Sequence, residues 1–197
     1  MAMQAQDILW AITMKRVITI GGLHGTGKSS VADLIAKEFD LKRVSAGVIF
    51  REFAKKRGLT LEEFSIVAED EESIDRELDA SLKTAAMKGN VLLDGQLAGW
   101  MAGDYADFKI LLTASLDTRV KRIAERDEVS LEHARLETLN REASEKERYL
   151  EFYGVNISDQ SIYDLILNTE KYDLEGVIKV LTTAIETFLE QSGDTAG

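Results

Sequence analysis

Residues 22–29 read Gly-Leu-His-Gly-Thr-Gly-Lys-Ser, a fit to G-x-x-x-x-G-K-[ST] that constrains the chain around it more than any other segment does. The pattern needs an apolar strand before it and a helix after it. Both are present, as a β-branched run over residues 17–20 and a helical pattern over 28–39. Glycines at 22, 25 and 27 allow a tight turn whose N–H groups face inward, and that geometry cradles phosphate at a helix N-terminus. Lys28 then reaches the outer phosphates of a nucleotide and the Ser29 hydroxyl reaches Mg²⁺. The nucleotide-contacting loop is therefore Gly22, Leu23, His24, Gly25, Thr26, Gly27, Lys28, Ser29 and Ser30. His24 holds a variable position in it and is assigned no chemistry of its own.

A strand that feeds a helix through such a loop belongs to a parallel sheet, and the rest of the chain repeats the alternation. Strand patterns are expected over residues 17–20, 43–45, 91–94, 108–113 and 165–168. Helical patterns are expected over 28–39, 48–56, 61–68, 74–87, 116–126, 131–153 and 174–189. Thr60-Leu-Glu-Glu63 has the form of a capping box, and Ser115 and Ser130 stand where N-caps are needed. The predicted fold is α/β, three layers around a five-stranded parallel sheet. Residues 14–197 form one domain, residues 1–13 an N-terminal extension. Two intervals exceed a simple crossover and are expected as helical insertions, one at about 46–90 that binds the acceptor and a short lid at about 115–158.

Composition narrows the function classes. The chain has 197 residues with 45% hydrophobic and 30% charged side chains, which suits a folded soluble domain and not a disordered one. It has no cysteine, so disulfides, thiolate metal sites and cysteine nucleophiles are excluded. It lacks a membrane-length apolar run and the basic, apolar start of a secretory signal, and a cytoplasmic location is expected. The net charge of −11 argues against extended nucleic acids and anionic membranes as partners. That charge is uneven: residues 14–57 carry +6, residues 58–107 carry −9, residues 108–150 balance and residues 151–197 carry −7. The positive segment contains Lys28 and Arg51, so the expected anion is small.

Other candidates gather around the loop. Asp94 ends the third strand, where a carboxylate holds Mg²⁺ through water or positions an acceptor. Ser45-Ala-Gly47-Val-Ile-Phe-Arg51 is expected to leave a strand, turn through glycine and start a helix carrying Arg51 to an acceptor phosphate. Arg119, Arg122, Arg126, Arg135, Arg141 and Arg148 form an arginine-dense stretch, either a phosphate clamp or a solvated helix laced with i,i+4 pairs. Asp75, Arg76 and Asp79 have the acceptor and donor chemistry that reads cytosine, with a solvated helix face as the plainer alternative. The two motifs of a switch-type GTPase are missing. Asn168-Thr-Glu-Lys171 is not N-K-x-D, and Asp94 is followed by Gly-Gln-Leu and not by x-x-Gly.

Five segments together resemble the archaeal-type cytidylate kinases. They are the loop at 22–29, Ser45-Ala-Gly-Val-Ile-Phe-Arg51, Leu93-Asp-Gly-Gln-Leu-Ala-Gly-Trp100, Arg141-Glu-Ala-Ser-Glu-Lys-Glu-Arg-Tyr149 and Ser161-Ile-Tyr-Asp-Leu-Ile-Leu-Asn-Thr169. The resemblance covers about residues 15–190. It implies a P-loop nucleoside monophosphate kinase that moves the γ-phosphate of ATP to CMP or dCMP with Mg²⁺, as a monomer or weak dimer. By motif it implies that Arg51 binds the acceptor phosphate, that Arg141 and Arg148 are lid or phosphate-clamping arginines, and that Ser45 and Gly47 line the monophosphate site. The chain departs from the family pattern at Val48, commonly acidic, and at Gln96, commonly Arg; Gln96 still offers a hydrogen bond to a phosphate or base. Two other readings stay open, a kinase for another small acceptor such as AMP, UMP or shikimate, and an ATP-binding module without transfer.

Overall fold

The structure is a computed structural model and describes residues 16–194; the expected extension at 1–13 lies outside the described residues. β1 (Val17–Gly21) enters the phosphate loop, which opens helix α1 (Lys28–Glu38). β2 (Lys42–Ser45) is followed by three helices, α2 (Ala46–Lys56), α3 (Leu61–Asp70) and α4 (Glu72–Lys88). β3 (Val91–Asp94), the short α5 (Ala98–Ala102) and β4 (Phe108–Thr113) come next. A helical hairpin, α6 (Leu116–Asp127) and α7 (Leu131–Tyr153), precedes β5 (Leu165–Asn168) and α8 (Leu174–Asp194).

The five strands are parallel in the order β2-β3-β1-β4-β5. β1 is central and every one of its residues is buried, as expected for a strand covered on both faces. Its side chains alternate between two cores. Ile18 and Ile20 pack with Val31 and Ile35 of α1 and Leu181 and Ile185 of α8, while Val17 joins Phe50, Phe64, Leu78 and Leu82 of α2, α3 and α4 on the other face. The hairpin has only a small apolar core, Val120, Ile123, Ala124 and Ala134. No helix among the described residues is long and apolar enough to cross a membrane.

Two details differ from the sequence expectation. No turn separates β2 from α2, because Ser45 is both the last strand residue and the helix N-cap, its Oγ accepting from Val48 N at 3.4 Å. Gly47 therefore lies inside the first helical turn and not in a loop. The five-residue α5 was not expected, being too short for a helical period to register. The expected capping box is formed, with Glu63 N donating to Thr60 Oγ1 and Thr60 N to the Glu63 carboxylate.

Candidate active site

The carboxyl ends of β1, β2 and β3 open into one cleft of about 970 Å³, where ligands bind in open parallel sheets. The phosphate loop forms its floor. Gly22 and Gly25 have φ of 140° and 79°, and a Cβ at either would lie 2.4 Å from Leu112 O or 2.6 Å from Arg119 O, so only glycine fits. Thr26 Oγ1 and Lys28 Nζ each donate to Leu23 O at 2.8 Å. From outside, Arg122 donates to Gly25 O at 3.4 Å and to Thr169 Oγ1 at 2.9 Å, and that hydroxyl lies 3.1 Å from Thr26 O. Thr169 closes one of the motif segments read in the sequence, but nothing in that segment marked its hydroxyl as a brace for the loop. Burial pushes the Lys28 ammonium down to about 8, against the opposing pull of Asp94 and Glu145.

Across the cleft from the loop, Asp94 is buried and each of its oxygens accepts one side-chain hydrogen bond. Its Oδ1 accepts from Ser45 Oγ at 3.0 Å and its Oδ2 from Arg43 Nε at 2.6 Å. Arg51 lines the cleft beside Gly47, where an added Cβ would lie 3.7 Å from its Nη1. It makes no hydrogen bond or ion pair among the described residues, and so presents a free guanidinium to the cleft. No group of three or more His, Cys, Asp or Glu among the described residues suits a metal ion on its own. What is available is the exposed Ser29 hydroxyl at the start of α1 together with Asp94. Such a sparse set fits a cation that keeps most of its shell as water and phosphate oxygens, as Mg²⁺ does.

Deeper along α4 and α7 lies a polar cluster with unmet hydrogen-bonding capacity. Arg148 Nε stands 3.3 Å from Asp75 Oδ2, both side chains buried. Arg148 Nη1 and both Asp79 oxygens are buried without a hydrogen bond of good geometry, although the Tyr153 hydroxyl faces Asp79. Burial raises Asp79 to about 6 and raises Asp75 in the same direction, Arg148 opposing the second shift. Arg148 was expected to clamp phosphate beside Arg141. It lines the same cleft two turns after Arg141 on α7, where its guanidinium pairs with Asp75 of α4. Arg76, the third member of the expected trio, points to solvent and pairs with Glu72 at 2.6 Å.

Glu145, one turn after Arg141 on α7, collects donors from three segments. Its Oε1 accepts from Arg141 Nε at 3.0 Å. Its Oε2 accepts from His24 Nε2 at 2.7 Å and from Gln96 Nε2. These donors hold the buried carboxylate down to about 2 against desolvation. Gln96, expected at an acceptor phosphate, lines the cleft with its amide nitrogen turned on Glu145 and its Oε1 buried without a partner. Arg119, also buried, bridges Glu142 of α7 and the carbonyl of His24. Trp100 and Tyr163 meet edge to face at 5.6 Å, and Tyr163 fills the space behind Gly21, so packing is the role of the aromatic residues in those two motif segments.

A phosphate loop at the end of a central parallel strand, with free and paired arginines facing it across one cleft, defines a P-loop protein of the small-kinase class. A gluconokinase from Sinorhizobium meliloti shares the architecture, with a TM-score of 0.63 over 93% of this chain and 98% of that one at 12% identity. The profile of the cytidylate kinase-like family matches residues 17–171. A cytidylate kinase from Staphylothermus marinus is 48% identical over 89% of this chain and 99% of its own length, and one from Pyrococcus horikoshii is 46% identical over 91% and 93%. The chain belongs to the cytidylate kinase-like family.

Proposed function

We propose that the chain transfers the γ-phosphate of ATP to CMP and dCMP, giving ADP and the corresponding diphosphate. The observation that carries the choice of base is the half-satisfied cluster of Asp75, Asp79 and Arg148. A buried polar network with unmet capacity is costly unless something completes it. Cytosine does so, its N4 amine donating to the Asp79 carboxylate and its N3 and O2 accepting from Arg148 Nη1. Uracil places a carbonyl oxygen against Asp79 and is disfavoured.

The transfer is mainly positioning and charge neutralisation. An oxygen of the acceptor phosphate forms the new bond to the γ-phosphorus as the bond to the β–γ bridging oxygen breaks and ADP leaves. Because that oxygen is already anionic, no general base is required. Lys28 holds the donor phosphates, Arg51 grips the acceptor phosphate, and Arg141 reaches the transferring group from the α6–α7 hairpin, which acts as the lid. Ser29 and Asp94 would hold Mg²⁺, which when bound would supply neutralisation of phosphate charge. Lid closure excludes water, the competing acceptor.

A coupled ADP-release assay with CMP, dCMP, UMP, AMP and shikimate tests this. Turnover with CMP and dCMP well above the others is expected. A flat response to every acceptor would reject the reading in favour of an ATP-binding module, and a preference for another acceptor would reject the assignment of the base. Lys28→Ala and Arg51→Ala should each abolish transfer while the fold survives.

A further inference from the structure

Neither the phosphate-loop motif nor the chemistry of transfer uses His24, yet its side chain lies within hydrogen-bond distance of Glu145. Three atoms meet there: His24 Nε2 lies 2.7 Å from Glu145 Oε2 and 2.9 Å from Gln96 Nε2, and the Gln96 nitrogen also contacts the same Glu145 oxygen. Proton placement resolves the triangle. A carboxylate oxygen accepts two hydrogen bonds, whereas Gln Nε2 only donates. Both nitrogens therefore donate to Glu145, which puts the proton of neutral His24 on Nε2. The remaining Glu145 oxygen takes Arg141 Nε, leaving the two Nη groups of Arg141 for the cleft it lines. Those are the nitrogens that grip a phosphoryl group in bidentate fashion.

We propose that His24 and Gln96 form a clasp on Glu145, and that this clasp positions Arg141 for phosphoryl transfer. His24 is on the phosphate loop, Gln96 follows β3, and Glu145 with Arg141 is on α7. The clasp closes only when these three segments are in register, so it orients Arg141 when the lid lies over the loop. Gln96 suits the task because it is neutral.

The kinetic arm rests on the kinase reading and is run with whichever acceptor the panel selects. His24→Ala should lower kcat about ten- to hundredfold, the loss of one hydrogen bond to a charged group, with the KM for ATP and acceptor moving less than about threefold. His24→Gln, which restores an Nε2 donor, should recover most of the loss. In an Arg141→Ala background His24→Ala should cost less than about twofold, since both changes remove one function. An unchanged kcat in His24→Ala overturns the proposal, as does an equal loss in both backgrounds.

A second arm needs no turnover. The chain has two histidines, His24 and the exposed His133 beside Glu137, so two imidazole resonances report separately. Burial lowers the pKa of His24; Glu145 opposes that shift, and Arg141 and Lys28 add to it. Glu145→Gln should move the His24 titration down and leave His133 in place. An unmoved His24 overturns the clasp whatever the acceptor, whereas a moved His24 in a protein inactive with CMP supports the clasp and rejects the CMP assignment.

Discussion

Lys28 carries a charge that burial opposes and a nucleotide would restore. Burial lowers it to about 8, so in the free protein the ammonium is held at neutral pH and lost as pH rises through that value. Phosphate oxygens favour the charged form, which makes ATP binding take up a proton above about pH 8. The dissociation constant for ATP, followed by titration calorimetry from pH 6.5 to 9.5, is expected to be level below about pH 7.5 and then to weaken toward roughly tenfold per pH unit. Lys28→Arg should flatten that rise. Asp79 runs the opposite way. Burial raises it to about 6, so the folded chain binds this proton more tightly than the unfolded one. The resulting stability is complete below the ordinary aspartate value of 3.8 and is lost as pH passes 6. At pH 8 the ionised group is a cost of roughly 2–3 kcal/mol. Asp79→Asn is expected to raise the urea midpoint at pH 8, to give no such gain at pH 3, and to erase the preference for CMP over UMP. Lys28 was legible in the sequence because its motif fixes residue type and order together. Glu145 was not, because Arg141 and Glu145 at i,i+4 on an acid-rich helix look the same whether the helix faces water or the cleft.

Among the elements, α7 shows how a long helix is held without a large apolar face. The hairpin core is four residues, too few to fix a 23-residue helix, and polar crossings supply the rest. Arg119 is the chief of these, donating to Ala114 O at 3.3 Å, to His24 O at 3.1 Å and to the Glu142 carboxylate. Arg119→Ala strands Glu142 in a partly buried position and should lower the unfolding free energy by roughly 3–5 kcal/mol, measured by urea denaturation. Arg119→Met with Glu142→Leu should recover most of it, because no charge is then left unpaired. The extents of α7 and of the helices at 61–70 and 116–127 were legible from apolar period and caps. The junction at Ser45 was not, because a residue that ends a strand and caps a helix in one step leaves no turn residues between the patterns.

At the scale of the whole molecule, the net charge of −11 coexists with an anion site because arginines and one lysine are concentrated at the strand ends. The strand order β2-β3-β1-β4-β5 also fixes how the chain must assemble. None of its ladders joins strands through a hairpin; Val17 must find Val91, Ile18 must find Phe108, and Ile110 must find Leu165. Each pairing closes a long loop before any contact rewards it, so refolding belongs in the millisecond-to-second range of non-local topologies. The chain contains no proline, which removes the phase of tens of seconds that prolyl isomerisation imposes. Double-jump refolding should therefore give the same amplitudes after a brief or a long stay in denaturant. A slow phase that grows with the time spent unfolded would contradict this. The central strand that aims the phosphate loop is thus also the strand whose two distant partners set the pace at which a nascent chain becomes an enzyme.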